Sequence, residues 1–280
     1  MILVFGSTGQ VAIELQAFTE VKALGRGQAD LSDPQACAEA IKRYRPHAVI
    51  NAAAYTAVDQ AEFEEDLASI INGEAPGAMA MACAELDIPL LHISTDYVFD
   101  GMGDKPWAVS DNTNPQNAYG RSKLLGEQKV NSSGCVYAIL RTSWIISAHG
   151  NNFVKTMLNL SETRNSLTVV GDQIGGPTCA RDIARTCILS LKQLIKDPNK
   201  SGVYHYSGQP DVSWCQFANA IFEKTGSKTI ASPILTSEYP TLAKRPSNSR
   251  LDCRATKDTF GILRPFWRDG LEEIIKEMEI

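Results

Sequence analysis

The sequence predicts an α/β protein in which a doubly wound parallel sheet is followed by a smaller C-terminal lobe. In the first half of the chain, short unbroken apolar runs alternate with amphipathic stretches of helical length. That alternation is typical of parallel strands whose two faces are both covered by helices. After about residue 150 it gives way to longer helical patterns and scattered short strands. We therefore expect one domain over residues 1–150 and a lobe over residues 151–280, some segments of which return to the first domain.

Each apolar run of the first half has the length of a buried strand and is bounded by turn residues. The predicted strands are Met1–Phe5, Val21–Leu24, Ala48–Asn51, Leu90–Ser94 and Val136–Arg141. Asp33 precedes Pro34, as is typical of a helix N-terminus, and we expect that helix to reach Arg45. The later chain predicts a helix opening at Gly150–Asn152, a strand over Leu167–Val170, and helices over Arg181–Lys196, Trp214–Thr225 and Trp267–Met278.

The bulk composition excludes several classes of protein. Of the 280 residues, 44% are hydrophobic and 21% are charged, as in a globular protein with a full core. The net charge of -5 argues against non-specific nucleic-acid binding, which needs a basic face. The cysteines form no C-x-x-C pair, which favours free thiols over a zinc site or disulfides. Without a bilayer-length apolar run or a signal peptide, we expect a cytoplasmic protein with no membrane or nucleic-acid partner.

A glycine-rich turn directly follows the first predicted strand. Gly6, Gly9 and Ala12 have the spacing G-x-x-G-x-x-A, and a helix is predicted to begin within it. Small residues let the backbone approach a pyrophosphate, whose negative charge then faces the amides of the helix N-terminus. Ala53 and Ala54, after the third strand, suit close passage of a dinucleotide, although they could simply pack. The turn predicts a Rossmann-like, NAD(P)-binding domain rather than an ordinary strand–helix connection.

The end of the second strand bears on the choice of cofactor. An acidic residue there would bond the ribose 2′-hydroxyl of NAD, but Leu24 is followed by Gly25 and Arg26. Arg26 could pair with a 2′-phosphate, which favours NADPH over NADH; a solvated loop arginine explains the residue equally well. Asp30 and Leu31, on the next turn, could flank the adenine.

Tyr119 and Lys123 have the spacing of two side chains on one helix face. A nearby ammonium stabilises a phenolate and lowers the pKa of a tyrosine, so the pair could protonate an oxygen as hydride reaches a carbonyl carbon. The lysine could also hold the nicotinamide ribose. Thr95 follows a central strand, where ligands bind in a doubly wound sheet, and its hydroxyl could bond the carbonyl oxygen. The alternatives are a surface helix pair and a turn cap.

Taken together, the motifs resemble the dTDP-4-dehydrorhamnose reductase family of extended short-chain dehydrogenases/reductases. The matching segments are Gly6–Gln10, Asn51–Asp59, Ser94–Phe99, Tyr119–Lys123, Arg141–Trp144, Gly150–Phe153 and Arg245–Leu251. The resemblance implies an enzyme that reduces the C4 keto group of dTDP-4-dehydro-β-L-rhamnose with hydride from NAD(P)H. Its substrate would be a dTDP-linked 4-keto-6-deoxysugar, and its product dTDP-L-rhamnose would feed cell-surface polysaccharide biosynthesis.

The resemblance also implies roles for individual residues. The catalytic triad falls on Thr95, Tyr119 and Lys123. The implied cofactor contacts are Gly9, Gln10, Val11, Asp30, Leu31, Ala54, Tyr55 and Thr56. The implied substrate contacts are Val58, Thr95, Asp96, Tyr97 and Trp144. Trp144 could cover one face of the sugar or pack in the core.

Two departures from the family pattern concern charge. Many relatives have an acidic residue where this chain has Gly25 and Arg26, which shifts the expected preference towards NADPH. Some relatives form a metal-bridged dimer through glutamates; Glu14 matches one of these, but Arg181 stands where another is expected. We therefore expect no metal site, and a monomer or a dimer built on another surface. Arg181 could instead pair with Glu14.

Two other functions remain open on sequence grounds. One is a related sugar-nucleotide reductase or epimerase with the same fold. The other is a non-catalytic regulatory subunit that keeps the nucleotide-binding fold. The presence of Thr95, Tyr119 and Lys123 together argues against the regulatory subunit, because a protein that catalyses no reaction has no need of all three side chains.

Overall fold

The computed structural model describes residues 1–279 as a mixture of parallel strands and helices. The strands are β1 (Ile2–Phe5), β2 (Val21–Leu24), β3 (Ala48–Asn51), β4 (Leu90–Thr95), β5 (Tyr137–Thr142), β6 (Ile145–Ile146), β7 (Ser166–Val170), β8 (Ile174–Gly175), β9 (Thr178–Cys179), β10 (Gly202–His205), β11 (Val212–Ser213), β12 (Ile230–Ile234) and β13 (Asn248–Ser249). The helices are α1 (Gln10–Leu15), α2 (Pro34–Tyr44), α3 (Glu65–Ser69), α4 (Ala75–Glu85), α5 (Ala118–Asn131), α6 (Phe153–Ser161), α7 (Ala180–Lys196), α8 (Trp214–Thr225), α9 (Arg254–Phe260) and α10 (Trp267–Glu277). A π-helical turn, Ile70–Glu74, joins α3 to α4.

The central sheet has six parallel strands in the order β10-β5-β4-β3-β1-β2. Helices α1 and α7 bury their apolar sides on one face of this sheet, and α2, α4 and α5 on the other. The doubly wound α/β prediction is thus confirmed. The chain leaves β2 on one side of β1 and returns to β3 on the other. Such a reversal opens a crevice at the carboxyl ends of the strands, where ligands bind in open α/β sheets.

The predicted element boundaries agree with the structure to within one or two residues. Asp33 accepts a hydrogen bond from Ala36 N and so caps α2 as expected. That helix ends at Tyr44 because Arg45 adopts a left-handed conformation, with φ of 44°. Strand β10 was not singled out in the sequence, yet it pairs with β5 along the edge of the central sheet. The domain division at residue 150 stays a prediction.

The later chain builds a second apolar core beside the carboxyl ends of β4 and β5. Helices α6, α8 and α10 surround Phe217, Phe222 and Trp267, and the parallel pair β7–β12 covers one side. Strands β11, β8 and β13 form a small sheet that brings Ser249 and Gly175 towards the end of β5. No helix within residues 1–279 is both long and apolar enough to cross a bilayer.

Candidate active site

A cavity of about 520 Å³ opens at the carboxyl ends of the central strands. Every residue predicted to bind the cofactor lines it: Gly6, Gly9, Gln10, Val11, Arg26, Asp30, Leu31, Ala53, Ala54, Tyr55, Thr56, Tyr119 and Lys123. The structure therefore brings together residues spread over more than a hundred positions of sequence. Their roles as cofactor contacts remain a prediction, which we develop below.

The glycine-rich turn has the conformation that close approach of a ligand needs. Gly6 has a φ of +104°, where a side chain would be strained. A Cβ atom at Gly6 would also lie only 3.3 Å from the Cβ of Ala53 and 3.4 Å from that of Ala12. Gly9 precedes α1 and supplies no side-chain cap, so the first amides of this helix are left to other acceptors.

The segment after β6 forms a wall of the same cavity. Ser147 Oγ and Asn152 Nδ2 donate to Gln10 Oε1 at 2.9 and 3.1 Å, which ties the segment to the glycine-rich turn. Gly150 and Asn151, between them, line the cavity. In the sequence, Gly150 to Asn152 indicated only the start of a helix. Their place in the cavity wall depends on hydrogen bonds to Gln10, which is too distant in the chain to leave a local pattern.

Asn72, in the π-helical turn, fixes the position of Tyr55 in the cavity wall. Its side chain accepts from Tyr55 N at 2.8 Å and donates to Tyr55 O at 3.0 Å. It also donates to Ser122 Oγ on α5 at 2.9 Å. Gly126 permits this approach, because a Cβ atom there would lie 2.1 Å from Asn72 O. Asn72 could not be recognised in the sequence, since π-helical turns have no simple residue pattern.

Arg26 lies at the open end of the cavity. Its side chain is 84% exposed, and its nearest charged partner is Asp30, with 3.9 Å between Arg26 Nε and Asp30 Oδ2. An exposed pair at this distance contributes little to stability. The guanidinium is therefore available to an anionic ligand.

A second cavity of about 230 Å³ adjoins the first, and Tyr119 lines both. Every residue predicted to bind substrate lines this smaller cavity: Val58, Thr95, Asp96, Tyr97 and Trp144. Thr95 lies on its wall, whereas Lys123 lies on the wall of the larger cavity. The predicted triad thus spans the junction between the two cavities.

Most of the buried side-chain polar atoms that have no hydrogen-bond partner within residues 1–279 belong to residues that line the smaller cavity. These atoms are Asp96 Oδ2, Thr142 Oγ1, Ser143 Oγ and Ser249 Oγ. A buried polar atom left without a partner costs about 1–3 kcal/mol, so such groups rarely persist without a purpose. Their convergence favours a ligand rich in hydroxyl groups. The pKa of Asp96 is raised to about 6 by burial.

Tyr119 and Lys123 do not have the electrostatic relation that their spacing suggested. Burial raises the pKa of Tyr119 above its ordinary value, outweighing the nearby Thr95 hydroxyl, which lowers it. Lys123 Nζ instead donates to Ile93 O at 2.7 Å and lies 3.3 Å from His92 Nε2. The expectation that the lysine lowers the pKa of Tyr119 is wrong for this conformation, because the ammonium is directed elsewhere. Tyr119 is consequently a neutral phenol, the form that can donate a proton.

Trp144 closes the smaller cavity with its indole stacked on Trp214, the ring centroids being 3.4 Å apart. Its φ of 50° lies in the left-handed region, which costs a residue other than glycine about 1–3 kcal/mol. Gly175 makes room for the ring, because a Cβ atom there would lie 2.8 Å from Trp144 Cε2. Trp214 was not predicted as a site residue; alone in the sequence it reads only as the start of a helix.

A third cavity of about 820 Å³ continues from the second, sharing Tyr97, Gln173 and Trp214 with it. Arg164 and Arg245 lie on its wall. Arg245 donates to Asp59 Oδ2 at 2.6 Å and to the hydroxyl of Tyr97 at 3.3 Å. The three cavities together form a continuous path from the glycine-rich turn to the C-terminal lobe.

Comparisons with known proteins identify the family. The RmlD substrate binding domain family matches residues 1–280. The chain belongs to the RmlD substrate binding domain family. It is 40% identical over 284 residues to the dTDP-4-dehydrorhamnose reductase of Sinorhizobium fredii, covering 98% of this chain and 96% of that one.

Crystal structures of relatives show the same fold. A dTDP-4-dehydrorhamnose reductase from Clostridium acetobutylicum is 37% identical, with a TM-score of 0.92 over 100% of this chain and 99% of that one. The Bacillus anthracis enzyme of that name, in complex with NADP, is 35% identical, with a TM-score of 0.91 over 99% of this chain and 98% of the other. In the present member of the RmlD substrate binding domain family, the corresponding fold carries the three cavities described above.

A cluster of ion pairs surrounds Arg181. Arg181 donates to Glu14, Glu273 and Glu277 at 3.3, 3.1 and 2.7 Å. The pairing of Arg181 with Glu14 was anticipated from the sequence. Ligand atoms of Glu14, His149 and Glu277 lie within 4.8 Å of one another, and Arg181 bonds both of these carboxylates, so its positive charge would oppose a divalent ion there.

Proposed function

We propose that this protein reduces the C4 keto group of dTDP-4-dehydro-β-L-rhamnose to give dTDP-L-rhamnose, using NADPH or NADH. One observation carries the proposal: a dinucleotide-sized cavity and a smaller polar cavity meet at Tyr119. Family membership supports the same activity, because relatives that match nearly the whole chain are dTDP-4-dehydrorhamnose reductases.

The nicotinamide cofactor, when bound, supplies the hydride. Tyr119, a neutral phenol, donates its proton to the C4 oxygen of the substrate and becomes a phenolate. Thr95, beside it in the smaller cavity, turns its hydroxyl from Asp96 Oδ1 and donates a hydrogen bond to the same oxygen. Lys123 lies one turn further along the same helix face, and its ammonium turns from Ile93 O towards the phenolate as that charge forms. Hydride and proton together convert the ketone into an alcohol.

The substrate is assigned to the two smaller cavities. The sugar occupies the cavity of about 230 Å³, where Asp96, Thr142, Ser143 and Ser249 offer unpartnered polar atoms to its hydroxyl groups. Trp144 covers one face of the ring. The nucleotide occupies the cavity of about 820 Å³, whose arginines suit the diphosphate. The proposed sugar and nucleotide sites are contiguous, as one covalent substrate requires.

NADPH is the preferred cofactor in this proposal. Arg26 favours it, because this residue is exposed at the open end of the proposed cofactor cavity and has only a loose contact with Asp30. A guanidinium there offers a planar fork to a 2′-phosphate. A relative that binds NADP supports the same preference.

The assembly is proposed to be a monomer or a dimer that no metal bridges, because Arg181 supplies the positive charge for the surrounding glutamates. We place the protein in a reducing cytoplasm, an assignment supported by its seven free, buried cysteines.

The test is a turnover assay on a panel of dTDP-ketosugars, with NADPH or NADH oxidation followed by absorbance and products identified by NMR. We expect oxidation of the cofactor with dTDP-4-dehydrorhamnose and an alcohol at C4. Inversion at C3 or C5 without cofactor consumption would identify an epimerase. Tight cofactor binding with no turnover on any sugar would identify a regulatory subunit.

A further inference from the structure

A short segment of the later chain, residues 243–245, lies against the N-terminal end of helix α5. Asn117 directly precedes this helix, and its buried side chain contacts both elements. Asn117 Oδ1 accepts a hydrogen bond from Gly120 N at 2.7 Å, and Asn117 Nδ2 donates one to Lys244 O at 2.9 Å. The reduction described above assigns no part to Asn117, which lines none of the three cavities.

The two contacts of Asn117 need the two different atoms of its amide group. Gly120 N can only donate and Lys244 O can only accept, so the amide oxygen faces the helix and the NH₂ group faces the segment. An aspartate would cap the helix as well as an asparagine does, but it has no donor for Lys244 O. The contact with Lys244 is therefore separate from the helix cap, and one substitution can remove it while the cap stays.

The same segment carries Arg245 to the wall of the cavity of about 820 Å³. Asp59 holds the segment at two points, because its carboxylate accepts from Ala243 N at 2.9 Å and from Arg245 Nη2 at 2.6 Å. Arg245 Nη1 also donates to the hydroxyl of Tyr97 at 3.3 Å. A guanidinium has five N–H groups, so these two contacts leave donors for an anion. The guanidinium is thus fixed by its neighbours and can still bind a diphosphate.

The proposed proton donor belongs to the same packed unit. Tyr119 stands two residues after Asn117, on the helix that Asn117 caps. The ring of Tyr97 packs edge-on against the ring of Tyr119, with the ring centroids 5.4 Å apart. Gly120 lets the helix approach this closely, because a Cβ atom at Gly120 would collide with Tyr97 O. Tyr119 and the Arg245 guanidinium are therefore held in one unit, and Asn117 lies at the junction of its two parts.

We propose that Asn117 is a positioning residue, which holds residues 243–245 against α5 and thereby sets the place of Arg245 relative to the catalytic helix. The inference rests on the proposed function, in which Arg245 binds the diphosphate of the substrate. A diphosphate bound there is aligned with Tyr119, which protonates the sugar at the other end of the same molecule. Since one covalent substrate must reach both groups at once, a displaced segment weakens the contact with the diphosphate first.

The first test compares the affinities of the wild type and Asn117→Asp for dTDP and for thymidine, measured by NMR titration. The aspartate keeps the helix cap, but its carboxylate faces Lys244 O and so displaces the segment. We expect the dissociation constant for dTDP to rise roughly tenfold, and that for thymidine, which lacks the diphosphate, to stay nearly unchanged. Asn114→Asp, which makes the same change at an exposed position of the same loop, should change neither constant.

Arg245→Ala separates positioning from a direct effect of the new charge. If Asn117 acts by placing Arg245, then Asn117→Asp should cause no further loss of dTDP affinity in the Arg245→Ala background. An equal loss in both backgrounds would overturn the proposal, because the aspartate would then act on the diphosphate without Arg245. An unchanged dTDP affinity in Asn117→Asp would overturn it too, as would equal losses for dTDP and thymidine, which a general distortion of the site produces.

A measurement on the wild type decides even if the variant fails to fold. Saturating dTDP should slow hydrogen exchange at the amides of Ala243 and Gly120 roughly tenfold, and thymidine should not, because only the diphosphate contacts Arg245. Protection of Ala243 without protection of Gly120 would show that the segment is not joined to the helix and would overturn the proposal.

None of these measurements depends on turnover. A wild type that binds dTDP without the expected differences rejects this inference alone, whereas a wild type that binds no dTDP rejects the proposed function as well.

Discussion

Asp96 provides a test in which stability and activity should move in opposite directions. Its carboxyl is buried at the wall of the proposed sugar site, and Oδ2 has no hydrogen-bond partner within residues 1–279. Its other oxygen accepts from Thr95 Oγ1 at 3.2 Å. Asp96→Asn keeps that acceptor, preserves the shape of the side chain, and removes the charge.

The size of the stability effect follows from the pKa of Asp96, which burial raises from 3.8 to about 6. Below pH 3.8 the carboxyl is protonated in folded and unfolded chains alike, so its burial carries no ionisation penalty. The free-energy cost of burying the charged carboxylate grows between pH 3.8 and about 6, and it reaches its full size above pH 6. Each tenfold change in an ionisation constant corresponds to about 1.4 kcal/mol, so Asp96→Asn should stabilise the fold by about 3 kcal/mol near pH 8. Near pH 5 the gain should be about half of that.

The assay is urea denaturation of the wild type and the variant at both pH values, with Asp104→Asn, an exposed loop carboxylate, as control. Turnover should fall roughly tenfold or more, because a hydrogen bond from the sugar to a charged acceptor contributes about 1.5–3 kcal/mol. A variant less stable than the wild type near pH 8, or equally stabilised at both pH values, would refute the reasoning. Unchanged turnover would remove Asp96 from the sugar site.

Three further predictions concern the cofactor, the proton and the assembly. Tyr119→Phe should lower kcat by roughly 10²–10⁴-fold while cofactor binding, measured by fluorescence, survives; near-normal turnover would exclude Tyr119 as the proton donor. Arg26→Ala should raise the KM for NADPH roughly tenfold and leave that for NADH nearly unchanged, so equal losses for both cofactors would reject a contact with the 2′-phosphate. Sedimentation with magnesium and then with a chelator should give one oligomeric state; a dimer that forms only with magnesium would show that Arg181 does not replace the ion.

The sequence was most informative where a single local pattern carries the chemistry. Gly6 and Gly9 predicted the sharp turn between β1 and α1, because a backbone that is to approach a pyrophosphate needs small residues at fixed spacing. Tyr119 and Lys123 could be paired because one helix face determines which side chains are neighbours. Asp33 and Pro34 marked a helix start for the same kind of local reason.

Features that depend on long-range contacts were not accessible in this way. The direction of Lys123 Nζ depends on Ile93 O and His92, which lie on β4. Asn72 connects Tyr55 to α5 through a π-helical turn with no residue signature. The edge strand β10 is recognisable only through its pairing with β5. In each case the partner is distant in the chain, so its effect appears only after folding.

The most direct test of the central claim uses NADPH carrying deuterium at the transferable C4 position of its nicotinamide. With dTDP-4-dehydrorhamnose as substrate, the account predicts dTDP-L-rhamnose with one deuterium on C4 of the sugar, formed in equal amount to the cofactor oxidised. Mass spectrometry and NMR of the product locate the label. Cofactor oxidation without deuterium at that carbon, or a changed sugar with no cofactor consumed, would contradict the account.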